Sequence, residues 1–145
     1  MVINFQISSK EHANLDRVYK IVSSKIKQIK KSNKNCRIGY VAGKITSDGP
    51  TQIKTNLSRL HRFTKKVSQK ENIFVFSAAD IFNSVAYWKT NLPKPDHKKQ
   101  FYEYWGEILD SGITDIYMTP GWEKSLGATD EYNRMRKRGI SIHFL

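Results

Sequence analysis

Two short segments hold side chains whose types and spacing suit chemistry. The first is Pro120-Gly-Trp122-Glu123-Lys-Ser125-Leu-Gly127-Ala128-Thr-Asp-Glu131. Ser125 suits the N-cap of a helix, where a hydroxyl accepts from an otherwise unpaired amide. Gly127 and Ala128 then leave space over the first turn, and Glu131 stands about one turn further on. Ala128 and Glu131 are i,i+3 neighbours, and Ala128, Tyr132 and Met135 form the apolar stripe at whose border Glu131 lies. A carboxylate in that position is partly desolvated and can serve as nucleophile or base. The competing reading is a surface acid paired with Arg134 or Lys124.

The second segment is Tyr40-Val-Ala-Gly43-Lys-Ile-Thr46-Ser47-Asp-Gly49. Gly43 allows the backbone to approach a ligand closely, while Lys44, Thr46, Ser47 and the loop amides could hold a phosphate. The spacing fits neither a Walker loop nor a dinucleotide fingerprint, and an ordinary strand-to-helix turn reads the same way.

The elements that must position these segments follow from periodicity. Residues 2–7 read as a short strand. Ser8 and Glu11 resemble a capping box opening a helix on which Leu15, Val18, Val22, Ile26 and Ile29 recur at helical spacing. Residues 37–42 read as a strand. Pro50 fits the first turn of a second helix with the stripe Ile53, Leu57, Leu60, Thr64 and Val67. Residues 72–76 form a buried-strand candidate that leads into residues 77–80. The segment 91–96, with Pro93 and Pro95, reads as loop. An aromatic-rich helix over 97–110 ends near Gly112, and a strand over 114–118 leads to a turn at Pro120. The helix opened by Ser125 runs to about Arg138, with Gly139 as its left-handed stop, and 140–145 closes the chain as a strand. Strands alternating with helices imply a parallel sheet of about five strands with helices on both faces. Ligands of such sheets bind beyond the carboxyl ends of the strands. Residues 43–49, 77–80 and 119–125 should therefore meet there.

The 145 residues suffice for one compact domain, and 39% hydrophobic and 12% aromatic content supports a packed core. The apolar runs are too short to cross a bilayer, and the first ten residues lack the pattern of a secretory signal. One cysteine, Cys36, excludes an intramolecular disulfide framework and a thiolate zinc cluster. The four histidines lack ligand spacing. A cytoplasmic protein without metal or cofactor is the expectation. The net charge of +12 sits wholly in residues 1–71, which carry 16 Lys and Arg against four acids, while residues 72–145 balance. Such a field attracts phosphorylated small molecules or polyanions, although solvated lysine-rich helix faces give the same pattern.

Ser125-Leu-Gly127-Ala-Thr-Asp-Glu131 resembles the S/D-x-G-x-x-x-E signature of the nucleoside 2-deoxyribosyltransferase superfamily, which includes the deoxynucleoside 5′-monophosphate N-glycosidases. Tyr40-Val-Ala-Gly43 resembles that group's first-strand motif, and the wording from Gly121 to Glu131 looks closest to a branch of small phage and bacterial proteins. The likeness covers residues 37–145 and sets residues 1–36 apart as a basic strand–helix extension. It implies a flavodoxin- or Rossmann-like domain that cleaves or transfers at the N-glycosidic bond of a nucleoside or its 5′-monophosphate. By this resemblance Glu131 matches the nucleophile that captures the sugar, and Ser125 the residue that contacts sugar or phosphate. Tyr40 matches a pocket aromatic, and Gly43 the glycine of the ligand-facing loop. The family's proton-donating Asp, eight positions before the acid that opens the next strand, falls on Glu107 here, with a longer arm. Trp122 departs from the pattern and would either stack on a nucleobase or cover the core. The substrate contacts expected are thus Tyr40, Gly43, Lys44, Thr46, Ser47, Trp122, Ser125 and Gly127. The resemblance also implies a homo-oligomer. Two alternatives stand beside this reading: a non-catalytic binder of a nucleotide-like ligand, and a nucleic-acid-associated protein that uses the basic half.

Overall fold

Two short, largely apolar segments take the two central places in the sheet. A computed structural model describes residues 1–91 and 95–145. Strand β1, Ile38–Ala42, and strand β3, Asp115–Met118, are buried along their whole length. Both faces of such strands are covered, which is why they read as continuous apolar runs without alternation. Strand β2, Phe74–Ser77, and strand β4, Ser141–Phe144, flank them in the all-parallel order β2-β1-β3-β4. The register pairs Tyr40 with both Phe76 and Ile116, and Met118 with Phe144. The fifth strand expected over residues 2–7 is reduced to one parallel bridge between Val2 and Val75. Ile3 N–H donates to Val75 O there, at 2.9 Å.

Among the described residues six α-helices pack around this sheet: α1 (Leu15–Ser32), α2 (Ile53–Glu71), α3 (Ala78–Ile81), α4 (Val85–Asn91), α5 (Pro95–Asp110) and α6 (Leu126–Lys137). The chain steps from β1 to β2 in one direction and from β2 past β1 to β3 in the other. With right-handed crossovers this puts α2 on one face and α5 and α6 on the opposite one. α1 packs on α5, and α5 on α6.

The long helices bury the stripes their spacing predicts. Val18, Val22, Ile26 and Ile29 of α1 and Ile53, Leu57, Leu60, Thr64 and Val67 of α2 are buried. Residues 1–36 thus belong to the same apolar core as the rest, with Ile3 and Phe5 joining it from the amino end.

Local details differ from expectation in two places. Ser8 and Glu11 do form reciprocal bonds, but these open only one 3-10 turn, Glu11–Ala13. α1 starts afterwards at Leu15, capped by Asn14, whose side chain accepts from Arg17 N–H at 3.2 Å. Residues 77–80 are not a plain loop: Ser77 caps α3, which takes in 78–80, and its amide and hydroxyl both donate to Asp80 Oδ2. The loop expected over 91–96 falls, at residues 92–94, outside the described residues. Gly139 takes φ +70 directly after α6, the left-handed stop expected of it. Among the described residues no helix is long and apolar enough to cross a membrane.

Candidate functional site

The order in which strands are added reverses at β1, with β2 on one side and β3 on the other, so the crevice beyond the carboxyl ends of β1 and β3 is not covered by a crossover. This is the topological switch point at which open α/β sheets bind ligands. The floor of the crevice is tight. Thr119 Oγ donates to Ala42 O at 2.9 Å, and a Cβ on Gly43 would land on that same hydroxyl and lie 3.0 Å from Leu60 Cδ2. Only glycine lets the β1 strand end pass under the loop at this point.

A cavity of about 370 Å³ opens above this floor. From β1 and its loop come Tyr40, Gly43, Thr46 and Ser47. From the loop after β3 and the first turns of α6 come Lys124, Ser125, Gly127, Ala128 and Glu131. Trp88 of α4 and Phe101, Tyr102 and Trp105 of α5 supply an aromatic wall. The volume lies within the range of small-molecule sites, and the lining has the usual composition of apolar walls with a few convergent polar groups.

Glu131 is 8% exposed. α6 carries it because Ser125 caps the helix, its Oγ accepting from Ala128 N–H at 3.2 Å. Six residues on, the carboxylate therefore points back across the small residues toward the sheet. Trp105 Nε1–H donates to Glu131 Oε2 at 2.8 Å and lies 3.1 Å from the Tyr40 hydroxyl. Burial drives the Glu131 carboxyl up to about 8, while hydrogen bonds from Tyr40 and Trp105 pull the other way. Burial, and then the neighbouring Glu131, also raise Tyr40 above its ordinary value. Neither Arg134 nor Lys124 pairs with Glu131, as the surface-acid reading would require. Arg134 instead reaches Asp110 at 3.2 Å. A buried carboxyl held by two neutral donors and no cation is a group whose proton is easily moved by whatever enters the cavity.

The crevice gathers most of the residues singled out by sequence, and three lie outside it. Tyr40, Gly43, Thr46, Ser47, Ser125, Gly127 and Glu131 all line the cavity. Glu107 does not: it is exposed on α5. Each helical residue turns the side chain by about 100°, so Glu107, two positions past Trp105, faces away from the indole that meets Glu131. A proton donor for the cavity is thus not found at Glu107. Lys44 is engaged by Asp48, its Nζ 3.0 Å from Oδ2, and its stem passes Gly121. Trp122 covers the far side of α6 as part of a group with Tyr132, 4.6 Å between ring centroids, and Phe144. It is absent from the cavity wall, in keeping with the core-covering reading.

Spacing within one segment gave no warning of Trp88, Phe101, Tyr102 or Trp105. Their only signal was the concentration of aromatic residues between 87 and 105. Phe101 and Trp105 stack with centroids 5.6 Å apart, and Trp88 meets Phe101 edge-on at 5.9 Å. Both indole N–H groups are spent inside the protein, Trp88 Nε1 on Phe82 O and Trp105 Nε1 on Glu131. Apart from the Tyr102 hydroxyl, this wall therefore presents ring faces and carbon edges to a ligand. Among the described residues no three His, Cys, Asp or Glu side chains gather as a metal site would require. No family model, curated protein or solved structure matches this chain.

Proposed function

We propose that this protein cleaves or transfers at the N-glycosidic bond of a nucleoside or nucleoside 5′-monophosphate, with Glu131 as the group that captures the sugar. The observation that carries the reading is the position of Glu131. It is a buried carboxyl with no countercharge, in the wall of a nucleoside-sized cavity, beside flat aromatic faces and a rim of hydroxyls.

Breaking a C1′–N bond develops positive charge on the sugar ring and negative charge on the base. A carboxylate at the anomeric carbon meets the first and forms a covalent ester, splitting one hard step into two. Desolvation makes that carboxylate a stronger nucleophile once its proton has left, and the cationic sugar is the partner its own site lacks. The stacked wall of Phe101 and Trp105 suits a planar base. Thr46, Ser47 and Lys124 suit a 5′-phosphate, with the N-terminal end of α6 adding its dipole. Acceptance of the sugar by water gives a hydrolase, and acceptance by a second base gives a transferase.

The test is incubation of the purified protein with nucleosides and their 5′-monophosphates, followed by chromatography for released base. The parental protein releases base from at least one of them, and Glu131→Gln lowers that rate at least about 1,000-fold. Base release by Glu131→Gln at the parental rate overturns the assignment. Ligand binding without any release by the parental protein would support instead a binding protein built on the same crevice.

A further inference from the structure

A departing base needs a proton, and Glu107, the acid suggested by spacing along the chain, is exposed and off the cavity. The described cavity lining contains three other side chains that carry an acidic proton: Tyr40, Tyr102 and Lys124. Tyr40 is committed to the buried bond network with Trp105 and Glu131. Lys124 sits among the rim hydroxyls, at the end suited to a phosphate. Tyr102 is different. It is half-buried on α5, one helical turn before Trp105, and its hydroxyl makes no hydrogen bond among the described residues.

Its ring lies over the first turn of α6. A Cβ built on Gly127 would meet Tyr102 Cε1 at 3.7 Å, Ser125 Oγ at 3.8 Å and the Tyr102 hydroxyl at 3.9 Å. These are ordinary contact distances, and they put the phenol beside Ser125 at the cavity. Glu131 follows Gly127 four residues later, roughly 6 Å of helix rise away. Both groups line the same cavity, the phenol over the first turn of α6 and the carboxyl about one turn further along the helix.

Resting on the reading of Glu131 as nucleophile, we propose that Tyr102 is the catalytic acid, donating its phenolic proton to the base as the C1′–N bond breaks. A Glu131 oxygen forms a bond to C1′, the C1′–N electron pair goes to the base nitrogen, and the Tyr102 proton follows it. The resulting phenolate takes a proton from the water, or from the second base, that next attacks C1′ and releases Glu131. A purine or pyrimidine anion is about as basic as a phenolate, so this transfer is near balance, the condition under which acid catalysis is efficient. Burial first, and then Asp130 and Glu131, hold the Tyr102 proton in place before reaction.

Tyr102→Phe keeps the ring and its packing and removes only the hydroxyl. The experiment compares parental protein and Tyr102→Phe on the best-cleaved nucleoside or nucleotide and on the same sugar bearing 4-nitrophenolate, a leaving group that needs no proton. Solvent deuterium isotope effects on kcat are measured for both proteins with the natural substrate. The proposal expects a loss of about 100-fold or more on the natural substrate, with the isotope effect falling toward unity. The nitrophenyl sugar should lose less than about threefold. Loss below threefold on the natural substrate overturns it, as does an equal loss on both substrates or an isotope effect that survives the substitution. If the nitrophenyl sugar is not turned over by the parental protein, the size of the loss and the isotope effect decide together. Failure of the parental protein to release any base removes the nucleophile reading and this one together. Parental activity with an unaffected Tyr102→Phe removes this one alone.

Discussion

Two buried carboxylates sit at opposite ends of the same sheet and have opposite fates. Asp115 opens β3 at the amino edge and is 4% exposed, while Glu131 stands beyond the carboxyl edge at 8%. Burial pushes both upward, so the difference lies in their partners. Around Asp115 the guanidinium of Arg37 reaches Oδ2 at 2.8 Å, Thr114 Oγ donates to Oδ1 at 2.6 Å, and His143 Nε2 lies 2.8 Å from Oδ2. Together these outweigh desolvation and bring Asp115 down to about 2. Glu131 has two neutral donors and no cation, and desolvation takes it up to about 8. The amino edge is a closed network in which every charge is answered. The carboxyl rim leaves one carboxyl unanswered over a cavity. An uncompensated buried acid costs stability, which is the pattern of a group kept for what it does to a ligand.

The contrast is sharpest in the pH dependence of activity, the largest of the effects that compare the two edges. If Glu131 acts as the nucleophile it must be ionised in the unbound protein, so kcat/KM rises about tenfold per pH unit below 8 and levels above it. Between pH 6 and pH 9 this amounts to roughly 100-fold. A profile that falls through the same window makes Glu131 a proton donor instead and breaks the assignment of roles.

Stability gives the next test, and its sign differs between the two acids. For Glu131 the unfolded chain, titrating near 4.5, has released its proton by pH 5.5, whereas the folded state keeps it to about 8. The folded state then binds more protons, and stability falls as pH rises through that interval, by up to about 1.4 kcal/mol per unit. Urea titrations from pH 5.5 to 8.5 should show this slope in the parental protein and its disappearance in Glu131→Gln, which is the more stable of the two at pH 8.5. An unchanged slope in the variant would place the titrating group elsewhere.

Asp115 carries the opposite sign and a smaller effect. Its folded-state value lies below the unfolded one, so its contribution is present above about pH 4 and drains away as pH falls toward 2. Asp115→Asn should cost about 2 kcal/mol at neutral pH, with Arg37 partly exposed and able to find water, and should leave base release intact. A variant as stable as the parent would mean that the amino-edge network is not what lowers Asp115.

The same two edges mark how far the sequence could be read. α1 and α2 were legible because their apolar stripes hold a 3.6-residue period over four or more turns. β1 and β3 were legible because they are apolar runs too short for helices. Glu131 was legible as a border residue of α6, but its burial was not. That depends on Trp105, 26 residues earlier, meeting it across the α5–α6 contact. Glu107 illustrates the limit. Its distance along the chain from Asp115 singled it out, and the rotation of the helix then turned it to solvent. Lys44 is similar: its residue type suits a phosphate, but Asp48, four positions on, already holds it. Asp115 was noticed only as a counting mark, because its partners come from distant points in the chain, Arg37 from just before β1 and His143 from β4.

The smallest expected effect separates the structural from the ligand-facing role of one residue at the rim. Ser125 both caps α6 and lines the cavity. Ser125→Ala removes the acceptor for Ala128 N–H and should cost about 1 kcal/mol in urea titration. Asp caps as well as Ser, so Ser125→Asp should keep the parental stability to within about 0.5 kcal/mol. The added negative charge, however, sits at the end of the cavity that suits a 5′-phosphate. KM for a 5′-monophosphate should therefore rise severalfold more than KM for the matching nucleoside, and the difference should shrink as salt is added. Equal changes for both substrates would mean that the phosphate lies away from Ser125 and that the rim of hydroxyls serves the sugar. A loss of stability in Ser125→Asp as large as that in Ser125→Ala would show that the carboxylate cannot take the capping geometry. The comparison would then rest on the difference in KM between the two substrates measured within Ser125→Ala itself.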